Sequence, residues 1–260
     1  MRSSTASAPD LLAAYDQQVR RRPVPDGPDD VVEQAGGVVR CVSATGWSGI
    51  TYSDLAGRDA DAAIAAQLAR MPGTWEWKHY SHDAPPDLPA RLLAAGFEAE
   101  EPETLMVAEL DRLELPAPAV PGIEVRAVGA DGIADLVAVH DAVFGGDHVD
   151  LGRVVRERLE RGTAVPVVAY EGAAPVAASR LELVEGTAFA GLWGDSTLPS
   201  HRGRGLFRAM VALRAQLARE RGFRYLQADA MESSRPLFAR LGFAELATTT
   251  PFMWRGSPRA

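Results

Sequence analysis

The chain has 260 residues, 47% hydrophobic and 24% charged, with a formal net charge of -8 and one cysteine. That length allows one large or two small domains. The lone Cys41 excludes an internal disulfide, and no apolar run approaches the length that crosses a membrane. Residues 1–115 hold 10 Lys and Arg against 19 Asp and Glu, whereas residues 116–260 hold 17 against 16. An acidic half argues against nucleic acid as the main partner and is compatible with a cationic acceptor or simply a solvated surface. A mean hydropathy of -0.09 is that of an ordinary soluble globular protein. The first residues carry no apolar signal-peptide core, so a cytoplasmic protein is expected, with no membrane partner.

In chain order, Asp10 to Arg22 is expected as a helix, with Leu11, Leu12, Tyr15 and Val19 on one face and Asp10 as its cap. Pro23 to Pro28 breaks it. Strands follow at 37–43 and 48–55, joined by a Thr45-Gly46 turn, and Cys41 reads as a core residue of the first. An Ala-rich helix spans 58–70, then a strand at 74–79 alternates Trp75 and Trp77 with polar residues. Asp87 is expected to cap a short helix through Ala95, closed by Gly96, before a strand at 103–110. The stretch 116–121, with Pro116, Pro118 and Pro121, reads as a linker between residues 1–115 and 122–260. Beyond it come a strand at 123–128, a helix at 132–144, a second helix ending at Arg161, and a hairpin of 165–170 with 175–184. A central strand at 189–198 leads to a long amphipathic helix that buries Leu206, Met210, Leu213 and Leu217. A strand at 223–228, a short helix at 233–241 and final strands around 252–254 complete the chain.

The stretch Leu198-Pro-Ser-His-Arg-Gly-Arg-Gly-Leu-Phe-Arg-Ala-Met210 joins that central strand to that helix. The first N–H groups of a helix have no internal partner and carry partial positive charge. Gly203 and Gly205 let an anion approach the main chain, and Arg202 and Arg204 add charge. The order strand, glycine-rich turn, helix therefore suits a pyrophosphate, although a plain basic turn has the same composition.

With this loop, the element order and the tail Ser234-Arg-Pro-Leu-Phe-Ala-Arg-Leu-Gly-Phe243, residues 122–255 resemble the GCN5-related N-acetyltransferase (GNAT) family. The family's loop pattern Arg/Gln-x-x-Gly-x-Gly/Ala falls on Arg202, Gly205 and Phe207, where Phe207 replaces a small residue. The resemblance implies an α/β (α+β) acyl-CoA N-acyltransferase fold, a mixed sheet flanked by helices. Gly73 to Met106 parallels Gly222 to Met253, including the Gly-Phe pairs 96–97 and 242–243. The chain therefore reads as a tandem member, with a degenerate GNAT-like half at 1–115 without a phosphate loop, the linker, and an acetyl-CoA-binding half at 122–260, or else as two unrelated α+β domains that share common helix-end sequences.

The resemblance implies direct transfer of an acetyl group from acetyl-CoA, as co-substrate, to the primary amine of a small molecule, without a metal. It places Ser196, Thr197, Leu198, Arg202, Gly203, Arg204, Gly205, Leu206, Phe207 and Ser233 around CoA, with Gly194 as a bulge that opens the strand. Asp195, a carboxylate inside a strand, is the candidate general base, or else the partner of a nearby arginine. Where the family often has a Tyr acid the chain has Phe238, leaving Tyr170, Ser233, Ser234 or water. Glu232 and Ser233 stand where the family has an Asn. His140, His148, His79 and His82 lack metal-ligand spacing. His148 falls where the family shapes its acceptor pocket, and Trp75, Trp77, Tyr80 and Trp193 line either a cleft or the core. The rival readings are a CoA-binding or sensing module that has lost turnover, favoured by Phe207 and Phe238, and an acetyltransferase for protein N-termini or lysines. Monomer and homodimer are both open.

Overall fold

The structure is a computed structural model, described for residues 7–25, 29–43, 46–115 and 120–256. It divides into two compact units. The first comprises Met1–Met106, Asp229–Ala239 and Ala244–Ala260, and the second Val107–Ala228 and Arg240–Phe243. Each unit thus includes chain from the other half of the sequence, whereas the sequence reading cuts once near 116–121. Residues 116–119 of that linker, residues 1–6, Pro28 and the Thr45 turn position lie outside the described residues.

The first unit opens with α1 (Ala8–Tyr15), extended by a π-helical turn at Asp16–Arg20. Ser7, rather than Asp10, is its N-cap, and the Asp10 carboxylate accepts from the Ser7 backbone in a reciprocal capping box. Strand β1 (Val31–Ala35), absent from the sequence reading, pairs antiparallel with β2 (Val38–Val42). Next come β3 (Gly49–Ser53), α2 (Ala60–Leu68), β4 (Trp75–Tyr80), α3 (Leu88–Ala94) and the short β5 (Glu98–Ala99). Asp87 precedes α3 but caps no N–H; its carboxylate binds Arg91 instead. Strand β6 (Glu103–Glu109) crosses the boundary between the units.

In the second unit, β7 (Ile123–Ala127), α4 (Ile133–Phe144), α5 (Val149–Glu160), β8 (Ala164–Glu171), β9 (Ala174–Leu183), β10 (Phe189–Thr197) and α6 (Leu206–Glu220) follow the expected order. β11 (Tyr225–Ala230), α7 (Arg235–Arg240) and β12 (Ala244–Trp254) close the chain. The repeat seen in sequence corresponds to β4–α3–β6 and β11–α7–β12, but the closing strands are exchanged. β12 lies antiparallel to β4, with Phe252 opposite Trp77. The end of β6 lies in the second unit, where Leu110 N–H bonds Arg224 O at 2.8 Å.

Packing explains the alternation in β4. Trp75 and Trp77 are fully buried with Ile50, Ile64, Leu88, Leu92, Phe97 and Phe252, and Trp75 meets Phe97 edge-on at 5.0 Å. They and Tyr80 are core residues, as is Cys41. The second unit has a core on each face of its sheet. Val167, Ala169 and Ala177 pack on Leu206, Ala209 and Met210 of α6. Val168 and Ala178 pack on Ile133, Leu136 and Val139 of α4.

Both units contain a parallel strand pair that parts after a few residues. In the first, β3 and β4 register at Gly49–Glu76 and Ile50–Trp77 and then diverge. The gap is filled by the chain itself. Arg20, 2% exposed, donates from Nη2 to both Asp83 oxygens at 2.8 Å, from Nη1 to Asp16 at 2.8 Å and from Nε to Thr51 O at 3.1 Å. Its guanidinium lies 3.7 Å from the Tyr80 ring centre. Asp83 also accepts from Ser53 Oγ and Tyr80 N–H. Substituting one member of a buried ion pair strands the other. Asp83→Ala is therefore expected to lower unfolding free energy by about 3 kcal/mol, read from urea denaturation; a change within measurement error would contradict the plug.

Candidate active site

The second parting lies between β10 and β11, which register from Phe189–Tyr225 to Gly191–Gln227 and no further. Against β9, strand β10 keeps its pairing but carries an extra residue: Trp193 lies opposite Arg180 and Ser196 opposite Ala178. Gly194 has φ 65° there, as a glycine-led bulge requires, so the expected bulge is present. The bulge turns Asp195 toward α6 and leaves Trp193 and Ser196 on the α4 face.

Asp195 is clamped. Both its oxygens accept from the guanidinium of Arg214, which is fully buried, at 3.2 Å from Nη1 and by a shorter bond from Nη2. Arg214 also donates to Met210 O and Arg180 O. Both carboxylate oxygens are thus engaged by a buried guanidinium, which is the geometry of the arginine-partner reading of Asp195.

The loop after β10 begins with a short 3-10 turn at Pro199–His201. Gly203 and Gly205 adopt φ 76° and 88°, and a Cβ built on either would meet nothing within 4 Å. Gly205 is the N-cap of α6, and no side chain caps the helix. Successive N–H groups around left-handed glycines form an anion-binding nest. Arg202 and Arg204 are exposed beside it. Arg202 Nε donates to Thr197 O at 3.2 Å, and Arg204 pairs at 3.0 Å with Glu171, which also meets His201. Those two partners hold the Glu171 carboxyl below its ordinary range. Leu206 is buried and Phe207 is half-buried in the first turn of α6. Leu198 N–H is committed to Val176 O at 3.0 Å, so it offers no free donor. Ser233 is exposed ahead of α7 and belongs to the first unit, as does the buried Phe238.

By contrast, the helix after β3 in the first unit starts at a carboxylate. Asp59 accepts from Ala62 N–H at 3.0 Å and Asp61 sits in the first turn. That end repels a phosphate.

On the α4 face the sequence reading missed His140. It is 5% exposed, its Nδ1–H donates to Leu136 O at 3.1 Å, and Ser196 Oγ lies 3.4 Å from Nδ1. That bond fixes the tautomer and leaves a lone pair on Nε2, which accepts no hydrogen bond among the described residues. Nε2 lies 3.0 Å from where a Cβ on Gly194 would stand. Burial lowers the His140 pKa below its ordinary value, outweighing the Leu136 carbonyl, and Arg180 and His148 push the same way. Phe144 and His148 rings stand 5.6 and 6.0 Å from His140. His148 is held by Asp141, 2.7 Å from Nδ1. The signal available in sequence was the helical spacing of His140 and Phe144, one turn apart on the helix that faces the central strand.

The other candidates are engaged elsewhere. Tyr170 donates to Asp135 at 2.7 Å, and burial with that carboxylate pushes its pKa up to about 12. His79 is in the core against Phe252, and His82 pairs with Asp16. Among the described residues no three His, Cys, Asp or Glu side chains gather as metal ligands, and no helix is long and apolar enough to cross a membrane. If Asp195 is a structural anchor, Asp195→Ala costs about 3 kcal/mol and lowers the thermal midpoint. A variant as stable as wild type but without turnover would restore it as the base.

Residues 138–243 match the family model described as Acetyltransferase (GNAT) family. No curated protein matches the chain. Among solved structures, a GCN5-related N-acetyltransferase from Kribbella flavida superposes with a TM-score of 0.69 at 18% identity, covering 98% of each chain. A tandem GNAT protein from the clavulanic acid biosynthesis pathway gives 0.60 at 17% identity, covering 91% of this chain and 86% of its own. A GCN5-related N-acetyltransferase from Sphaerobacter thermophilus gives 0.59 at 16% identity, covering 98% and 94%. At these identities the structures speak for the fold, and residues 138–243 are similar to the acetyltransferase domain of the GNAT family.

Proposed function

We propose that the chain is an N-acetyltransferase that moves an acetyl group from acetyl-CoA to the primary amine of a small molecule, with one CoA site, in the second unit. The observation that carries this reading is the open pair of left-handed glycines at 203 and 205, directly after a strand that has parted from its parallel neighbour. An anion fits where neither glycine Cβ would meet an atom, and Arg202 and Arg204 supply charge. Glu171 must release Arg204 for that charge to serve a phosphate. We read the first unit as a degenerate GNAT-like half, since its strand gap is filled by Arg20 and its helix start is acidic.

Bound acetyl-CoA supplies the thioester carbonyl. The chain supplies the base: neutral His140 accepts the proton from the attacking amine at Nε2, while Nδ1–H stays on Leu136 O. The amine nitrogen bonds to the carbonyl carbon as the carbon–sulfur bond breaks, and the departing thiolate takes a proton from water or from His140. Tyr170 and Phe238 offer no acid. The rival reading, a CoA-binding module without turnover, draws on Phe207 and Phe238.

Thiol release from acetyl-CoA in the presence of amines tests the choice. Because the His140 pKa is lowered, its base form persists through neutral pH and is lost only as pH falls below 6.5. The expected kcat profile has its acid limb there, and His140→Gln lowers kcat about 100-fold and abolishes that limb. Acetyl-CoA binding without thiol release for any amine would favour the rival.

A further inference from the structure

We propose that the acceptor is an amine that also carries a carboxylate one or two carbons from its nitrogen, as an α-amino acid does, and that Arg180 binds that carboxylate. The inference rests on the acyl-transfer reading above and names its substrate class.

Arg180 lies on β9 directly opposite Trp193 and on the same sheet face as Ser196 and His140. Its side chain is 16% exposed. Nε donates to Glu182 Oε1 at 2.7 Å, and the other oxygen of Glu182 is taken by Arg158. Two arginines thus share one carboxylate, and among the described residues the two Nη groups of Arg180 meet no carboxylate. The remaining acids nearby are spent: Asp195 faces α6 and is neutralised by Arg214, and Asp141 is held by His148. A largely buried guanidinium with a free edge is costly unless an anion meets it, and its planar fork suits a carboxylate.

Position gives the spacing. Arg180 Nη1 lies 2.9 Å, and His140 Nε2 3.0 Å, from the same point, the site of an absent Cβ on Gly194. The anion partner and the proton acceptor therefore converge on one small volume at the bulge. An acceptor that satisfies both carries its carboxylate close to its amine. An arginine that shares its one carboxylate with a second arginine also repels a simple ammonium, so an amine without an anionic group is disfavoured. Exposed Phe144, 5.6 Å from His140, borders this volume and is placed to meet the rest of the acceptor.

The test compares the proteinogenic amino acids with their carboxamides as ligands of the full chain, by calorimetry and ligand-observed NMR, without acetyl-CoA. At least one amino acid is expected to bind, its carboxamide at least tenfold more weakly, which is what one charge-assisted hydrogen bond is worth. Arg180→Gln, checked for fold by circular dichroism, removes the discrimination; Arg180→Lys keeps charge without the fork and restores part of it. Should the Gln variant not fold, the acid–amide contrast in wild type decides alone. Absence of amino-acid binding, equal binding of acid and amide, or discrimination that survives Arg180→Gln would overturn the proposal. Acetyl-CoA titration and thiol release are run alongside. Turnover on amines lacking a carboxylate, without preference for the acids, sinks this inference and leaves acyl transfer standing. Discriminating binding without turnover sinks acyl transfer and leaves Arg180 as the anion partner.

Discussion

A strand edge that leaves its neighbour exposes backbone N–H and C=O groups that must find other partners. That constraint arises twice in this chain, where β3 parts from β4 and where β10 parts from β11. In the first unit the chain answers it internally. Arg20 bonds Thr51 O, Thr51 Oγ1 bonds Arg20 O, and the guanidinium is anchored by Asp83 and Asp16. In the second unit an exposed arginine, Arg202, bonds Thr197 O, and the parting strand runs on into a glycine loop where a Cβ on Gly203 or Gly205 would meet nothing within 4 Å. The same architectural feature is filled by a buried ion pair in one unit and leads into a glycine loop in the other.

The opening depends on charges arranged on opposite faces of one strand. The bulge at Gly194 sends Asp195 to Arg214 on the α6 face and keeps the α4 face for His140 and Arg180. Without a glycine there, a side chain would occupy the point on which both nitrogens converge. Strand distortion, the anchoring ion pair and the presentation of a neutral histidine are thus consequences of a single extra residue in β10.

What was legible in sequence was what is local. The two glycines and flanking arginines of the loop are contiguous, and their meaning follows from strand, turn and helix in succession. Trp75 and Trp77 alternate because β4 is buried on one face, and the periodicity of α6 marks its core side. What was not legible depends on distant partners. Asp195 stood out as a carboxylate in a strand, but Arg214 lies 19 residues away, on α6. His140 had no sequence signature beyond helical spacing. Strand β1 escaped notice because Val31, Val32, Glu33, Gln34 and Ala35 are all exposed and show no alternation. The exchange of β6 and β12 is a matter of pairing between residues far apart, which a repeat in sequence does not record.

The central claim is that one of the two strand partings is open to an acyl-CoA and the other is closed by the chain. Calorimetric titration of the full chain with acetyl-CoA tests it most directly. The account predicts one site per chain. Two sites would mean that Arg20 does not close the first unit, and none would mean that the Gly203–Gly205 loop is a turn and no more.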